Sequence, residues 1–293
     1  MKIEKVGKKK PISRFLYWIK ERHKVYLKKE AGEKKPWTDD EVLQSYFFTN
    51  PYRENDKVTK WFRENVREPM RDSHKVMFAT IAFRWFNYIP TGEMFMERHF
   101  LDGNTFRPTN MKKALKKLNK DGPVFTGAFM IPAVPGTLKI NHVIDCLKPI
   151  WKDRMDLVRG LSDCTLEDAH RMFIQYPYLG KFMAYEVVTD LRWTSLLEDA
   201  SDIMTWANPG PGCARGLARL AGAAPQGKNS AMMKLPKDWL QQLRKLLTLA
   251  NMRLPSDMPS MEMREIEHSL CEWDKYERAR LQDGRMKRLY KGI

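Results

Sequence analysis

No stretch of this 293-residue chain approaches 18 uninterrupted apolar residues, and its opening, Met1-Lys2-Ile3-Glu4-Lys5, carries no apolar signal region. A spanning helix and a secretory leader are therefore not expected, and the chain reads as soluble and intracellular, in the cytoplasm, with no membrane partner. Cysteine is scarce: the four residues Cys146, Cys164, Cys213 and Cys271 form no Cys-x-x-Cys pair and have no histidine at zinc-finger spacing. They read as reduced structural thiols. His142 and Cys146 share a helix face, but one pair falls short of a metal site, and the six histidines form no cluster. Also missing are a Gly-x-x-x-x-Gly-Lys-Ser/Thr phosphate loop, a Gly-x-Gly-x-x-Gly fingerprint and a Gly-x-Ser-x-Gly elbow. A self-contained P-loop kinase, a dinucleotide enzyme and an elbow-type hydrolase are thereby disfavoured. Chemistry must rest on carboxylates, lysines, arginines and backbone groups, with no metal and no cofactor expected. Strand-like alternation is nowhere sustained, so the fold class read here is mostly α.

What is abundant is positive charge. Lysines and arginines number 52 against 36 acids, a net charge of +16. Such an excess speaks to partners rather than to fold: nucleic acid, an anionic surface or a polyphosphate. Residues 1–35 hold 13 lysines and arginines against four glutamates, a net of +9. Phe15, Trp18, Ile19 and Tyr26 are spaced there as one helix stripe. This segment reads as a basic helix that either follows a phosphate backbone or forms a solvated face. The remainder, 36–293, shows no internal repeat and no convincing linker, and is read as a single helical domain.

Within it, Pro36-Trp37-Thr38-Asp39-Asp40 reads as a loop ending in a helix cap before Glu41. The segment from Phe48 to Phe62 is polar between two apolar stretches, as chemistry-bearing loops are. Arg53, Asp56 and Lys60 would share one face if it were helical. Val76 to Ile89 is apolar almost all round and predicts a buried central helix, with Arg84 and Asn87 as exceptions. A buried guanidinium needs a carboxylate partner or a bound anion. Helices are also expected over 109–120, 141–151, 165–174, 237–254 and from Ile266 onward, and a flexible loop over 222–230. On the last helix Glu267, Cys271 and Asp274 share one stripe, and His268, Glu272 and Lys275 its neighbour.

The stretch from Tyr176 to Gly216 organises the middle of the chain. Tyr176-Pro177-Tyr178-Leu179-Gly180-Lys181 brackets a turn, an apolar helix follows, then Glu198, Asp199 and Asp202, then a Gly/Pro-rich stop at Pro209-Gly210-Pro211-Gly212. A glycine turn at a helix N-terminus presents backbone N–H groups to a phosphate, which makes Tyr178, Gly180 and Lys181 DNA-binding candidates. The stretch resembles the helix-hairpin-helix of DNA glycosylases, in which an aspartate follows the hairpin about where Asp199 and Asp202 lie. An ordinary corner in a helical core fits it as well.

Several segments in a fixed order carry a further resemblance: Phe48-Thr49-Asn50-Pro51-Tyr52-Arg53-Glu54-Asn55-Asp56-Lys57, Arg84-Trp85-Phe86-Asn87, Phe125-Thr126-Gly127-Ala128-Phe129 and Tyr178-Leu179-Gly180-Lys181. They are followed by Asp190-Leu191, Pro209-Gly210-Pro211-Gly212-Cys213-Ala214-Arg215-Gly216 and the run from Ile266 to Tyr276. Over roughly 37–291 the chain resembles the alpha-glutamyl/putrescinyl-thymine pyrophosphorylase family and the related helical domain of 5-hydroxymethyluracil DNA kinases. The resemblance implies a fold of the helix-hairpin-helix DNA glycosylase superfamily, used in thymidine hypermodification, mostly in bacteriophages. There 5-hydroxymethyluracil in DNA is phosphorylated, and an amine or amino acid then displaces the phosphate-bearing group. Members lacking the kinases' P-loop domain, as this chain does, are expected to be the transferases.

On that reading double-stranded DNA and an amine or amino acid are the substrates, with functional coupling to a 5-hydroxymethyluracil DNA kinase. The target base must leave the stack to meet the nucleophile. Arg53, Lys57, Arg84 and Arg215 are candidates for holding the (pyro)phosphate leaving group, Arg215 alternatively for clamping a carboxylate. Asp56, Asp190, Asp199 and Asp202 are candidates for taking the ammonium proton. Glu272 and Asp274 are expected to fix the core instead, by pairing with Lys275 or an arginine. A glycosylase, with Asp199 or Asp202 stabilising charge on the sugar, and a non-catalytic DNA-binding module are the competing readings. The cations of 53–60 and Arg84 favour the transferase.

The charge yields the first test. DNA affinity is expected to fall steeply with salt, each neutralised phosphate adding about 0.9 to the log–log slope. A flat salt dependence in equilibrium titrations would mean the charge serves another partner.

Overall fold

Aromatic side chains at helical spacing decide where the basic N-terminal helix goes. Phe15, Trp18 and Ile19 are fully buried, so its apolar stripe is docked while its lysines face out. The computed structural model describes residues 10–127, 131–132, 135–223 and 234–283. Among these there is no strand, and no helix is long and apolar enough to cross a membrane. The helices, in chain order, are α1 (Pro11–Glu30), α2 (Glu41–Ser45), α3 (Lys57–Phe62), α4 (Lys75–Phe86), α5 (Ile89–Glu97) and α6 (Pro108–Asp121). There follow α7 (Lys139–Gly160), α8 (Leu166–Phe173), α9 (Lys181–Leu191), α10 (Pro211–Leu220), α11 (Trp239–Arg253) and α12 (Met263–Leu281). They group into two compact units, one formed by Met1–Asp56 with Met204–Ile293 and the other by Lys57–Ile203.

In the first unit α12 is the spine. A capping box between Glu262 and Glu265 starts it, and Ile266, Leu270, Trp273 and Tyr276 face inward with no exposure. The ring of Phe15 meets Trp273 edge-on at 5.5 Å, and Phe48 packs on Tyr276 at 6.1 Å. Asp40 joins three helices: Oδ1 caps α2 by accepting from the N–H groups of Val42 and Leu43, and Oδ2 accepts from the hydroxyls of Tyr17 and Tyr276. Gly212 and Gly216, one turn apart on α10, lie against Cys271 and Leu270 of α12. Having no Cβ lets the two backbones approach closely.

In the second unit α4 is the spine. Every residue from Val76 to Phe86 is buried, and α9 lies against it with Met183 to Leu191 buried as well. Phe62 stacks on Phe83 at 4.9 Å, and Phe78 meets Trp151 edge-on at 5.0 Å. Between α3 and α4 the chain widens into a π-helical turn, Arg63–Arg67, then a 3-10 turn, Glu68–Met70. The π turn carries Arg67, 1% exposed, into the core.

Several sequence expectations change in detail. The central helix stops at Phe86, short of Ile89, because Asn87 takes the left-handed conformation at φ 45° and Pro90 then opens α5. Arg53, Asp56 and Lys60 share no helix face: Arg53 lies in a 3-10 turn, Arg53–Asn55, and Asp56 is extended before α3. Pro209-Gly210-Pro211-Gly212 is a helix start rather than a stop, with Pro211 at the first position of α10. The left-handed residue of the 176–181 turn is Tyr178, at φ 61°, while Gly180 is the extended cap of α9. Most of the 222–230 loop, the basic residues before Lys10 and after Asp283, and Ala128 and Phe129 lie outside the described residues.

A Cβ at Gly216 would sit 2.6 Å from the Leu270 carbonyl oxygen, a backbone atom that cannot step aside. Gly216→Ala is therefore expected to destabilise the protein by about 1–3 kcal/mol, the usual cost of overpacking, read as a lower urea midpoint. Gly180→Ala, whose Cβ meets nothing within 4 Å, should move the midpoint far less.

Candidate functional site

The 3-10 turn Arg53–Asn55 and the extended residues before it lie along one side of α12 in the first unit. Three bonds fix them there: the Thr49 N–H donates to Glu272 Oε2 at 3.0 Å, the Tyr52 hydroxyl donates to the Pro259 carbonyl at 2.6 Å, and Lys275 Nζ donates to the Phe47 carbonyl. Arg22 of α1 adds two bonds to the Phe48 carbonyl, at 3.1 and 3.2 Å. This arrangement brings Thr49, Asn50, Arg53 and Asp56 against Arg264, His268, Glu272 and Lys275. Thr49 Oγ1 and His268 Nε2 are 2.7 Å apart. Asp56 Oδ1 accepts from the Asn50 backbone N–H (2.9 Å) and side-chain amide (3.0 Å). Its Oδ2 has no hydrogen-bond partner among the described residues. The Asn50 amide also donates to the Asn55 carbonyl, which fixes its orientation and leaves its buried Oδ1 without a donor among the described residues.

The electrostatics of this cluster are unusual. Burial, followed by the charges of Arg53, Arg264 and Lys275, holds the His268 pKa well below its ordinary 6.5, so the ring is neutral at pH 7. Burial raises the Asp56 carboxyl, with Arg53 and the Asn50 bond pulling the other way. Glu54 lies 3.8 Å from Arg264, and Glu272 3.4 Å from Lys275. Arg22, Arg53, Arg264 and Lys275 thus share this region with Glu54, Asp56 and Glu272 around an uncharged imidazole, and the buried Glu265 lies beside Arg264. Most of the carboxylates, the imidazole and Lys275 are half-buried rather than sealed in. Chemically, the cluster can hold an anion and offers a carboxylate of raised basicity beside it.

The other sequence candidates are placed elsewhere. Arg84, 1% exposed, forks onto Asp190, which has no exposure: Nε donates to Oδ2, and Nη2 to Oδ1 at 2.8 Å. Its Nη1 donates to Asn87 Oδ1 at 2.8 Å and Nη2 reaches Thr59 Oγ1 at 3.3 Å. Arg67 stands 3.9 Å from the same carboxylate. Asp202 caps α8, accepting from the N–H groups of Leu166 (2.7 Å) and Glu167 (3.0 Å). Asp199 is exposed, as is Lys57 at the first position of α3, and Glu198 pairs with Arg71. Tyr178 is wedged between Trp85 and His142, with ring centroids at 6.3 and 5.2 Å, while Gly180 and Lys181 are exposed. Arg215 pairs with Asp274 at 2.8 Å. Among the described residues no group of three or more His, Cys, Asp or Glu is placed to hold a metal.

Arg264, Thr49 and Asn50 escaped the sequence reading as site members. The stripe His268, Glu272, Lys275 was visible, and Arg264 one turn earlier extends it. Nothing in the sequence told that residues 47–50 would lie across it.

Removing Arg84 would take from the buried Asp190 carboxylate its two-pronged partner. Arg84→Ala is expected to cost about 3–5 kcal/mol of stability, checked by denaturant unfolding; a loss under about 1 kcal/mol would mean the pair is not a structural lock.

The sequence matches the family described as "5-hmdU DNA kinase, helical domain" over residues 9–286. A protein of that name from Bacillus phage SP10 is 28% identical over 227 residues, covering 69% of this chain and 35% of the phage protein. The chain therefore spans about a third of the length of that curated relative. No solved structure matches. With the family match running over all the described helices, the chain belongs to the helical-domain family of 5-hmdU DNA kinases.

Proposed function

We propose that this chain acts in hydroxymethyluracil modification of DNA as a transferase, replacing the phosphate group of phosphorylated or pyrophosphorylated 5-hydroxymethyluracil with an amine or amino acid. The observation that carries the reading is the cluster in which Thr49 meets His268 at 2.7 Å, Arg264 and Lys275 stand beside Glu54 and Glu272, and Asn50 fixes Asp56. A phosphate leaving group needs fixed cations and hydrogen-bond donors where negative charge develops, and these groups are held in place before any substrate arrives.

In this mechanism the amine nitrogen attacks the 5-methylene carbon. The carbon–oxygen bond breaks, and its electron pair leaves with the (pyro)phosphate, held by Arg53, Arg264 and Lys275. The proton shed by the new carbon–nitrogen bond goes to Asp56, whose raised pKa makes it a better acceptor than an ordinary aspartate. Neutral His268 donates or accepts a hydrogen bond without adding charge. The target base is flipped from the duplex. The turn of Tyr178, Gly180 and Lys181 before α9 takes a strand phosphate, as in the helix-hairpin-helix of DNA glycosylases. Arg84 and Asp190 hold the second unit together on this account, and Asp202 caps a helix. The phosphorylated base would come from a 5-hydroxymethyluracil DNA kinase, the activity named for the phage relative.

The test is to incubate the protein with phosphorylated and pyrophosphorylated 5-hydroxymethyluracil DNA, amino acids and polyamines, then digest to nucleosides for mass spectrometry. An amine-bearing nucleoside is expected, falling at least tenfold in Arg53→Gln and Asp56→Asn while DNA binding persists. Release of free base would instead mark a glycosylase, and unchanged DNA a binding module.

A further inference from the structure

A second cationic cluster lies on the other stripe of α12. Asp274, fully buried, is met by three arginines: Arg215 Nε at 2.8 Å from Oδ2, Arg219 Nε at 2.7 Å from Oδ1, and Arg278 Nε at 3.3 Å from Oδ2. One carboxylate neutralises one guanidinium, and Asp283, 3.3 Å from Arg219 Nη2, neutralises another. Glu267, a third acid on the same stripe, accepts from the Gly210 N–H at the start of α10. Arg219 is sealed in, its side chain 4% exposed, whereas those of Arg215 and Arg278 keep 18% and 28%.

The donors of these two outer arginines are not used up. Among the described residues neither has a hydrogen bond from its Nη groups. The Arg278 Nε is a buried donor whose ion pair with Asp274 falls short of hydrogen-bond geometry. Both Nε atoms approach the same oxygen of Asp274, so the two guanidinium groups stand side by side, within about two hydrogen-bond lengths of one another. Paired planar forks with spare N–H groups can each give a tetrahedral oxyanion two directed hydrogen bonds, where a lysine acts as a point charge.

We propose that Arg215 and Arg278, held side by side by Asp274, form a phosphate-binding subsite distinct from the His268 cluster. A purely structural triad would close on itself; among the described residues this one keeps unmet donors at partly exposed positions. The subsite begins about one turn of α12 beyond Lys275, so the helix carries two anion-holding places along its length. Phosphate from the DNA backbone and free phosphate or pyrophosphate share the chemistry required. The inference stands whether or not the chain transfers an amine.

Two variants test it, Arg215→Gln and Arg278→Gln, each of which leaves Asp274 with two arginines. Each is titrated calorimetrically with inorganic phosphate and with pyrophosphate, and with an unmodified DNA duplex across a salt series. If the subsite takes free phosphate, wild-type binding should weaken at least tenfold in both variants with the DNA salt slope unchanged. If it takes a backbone phosphate, the log–log salt slope should fall by about 0.9. Either outcome supports the subsite. Variants that match wild type in both assays, or that change only the unfolding midpoint, overturn it. Should either glutamine variant fail to fold, Arg278→Lys keeps the charge and loses the fork, and weakened phosphate binding in it is the result required.

Discussion

The close approach of α10 to α12 is the constraint on which the first unit depends. Gly212 and Gly216 let the two backbones meet where any side chain would collide with Cys271 and the Leu270 carbonyl. With that contact made, Arg215 and Arg219 of α10 reach the buried Asp274, and the Gly210 N–H reaches Glu267. The adjoining stripe of α12 is left to residues 47–56, which lie across Arg264, His268, Glu272 and Lys275. One helix therefore carries two charged clusters on neighbouring stripes, and its inward stripe of Ile266, Leu270 and Trp273 keeps it fixed in the core.

The arginines fall into two physical classes. Arg84 is enclosed and forked onto Asp190, and in a low-dielectric core such a pair locks neighbours together while its loss is costly. Arg53, Arg264 and Lys275 instead surround a ring that burial and their own charges keep neutral. These cations also have carboxylates nearby, Glu54 at 3.8 Å from Arg264 and Glu272 at 3.4 Å from Lys275, but they border a half-buried imidazole rather than a sealed pair. This difference, more than the net charge of +16, separates structure from proposed chemistry here.

Much of the architecture was legible in the sequence. The all-round apolar run from Val76 predicted a buried helix, the 15, 18, 19 stripe predicted a docked one, and Arg84 in an apolar segment announced a partner. The partner itself, 106 residues away at Asp190, could not be read, because ion pairing across a core leaves no local pattern. The run Pro209-Gly210-Pro211-Gly212 misled because proline and glycine punctuate both ends of helices. The informative feature was the spacing of Gly212 and Gly216, a packing signal rather than a turn signal. The 53, 56, 60 spacing failed for a related reason: the extended Asp56 resets the helical phase between Arg53 and Lys60. Docking of the basic helix also means that removing residues 1–35 would take out Phe15, Trp18 and Ile19 along with the charge.

The central claim is that His268 sits uncharged in a cationic ring built to hold a phosphate group. The direct measurement is an NMR titration of the His268 ring, assigned through a His268→Gln variant, with and without the nucleotide of phosphorylated 5-hydroxymethyl-deoxyuridine. The account predicts a midpoint well below 6.5 in the free protein, rising when the phosphate cancels the surrounding charge. A midpoint near 6.5 that the nucleotide leaves unmoved would contradict it.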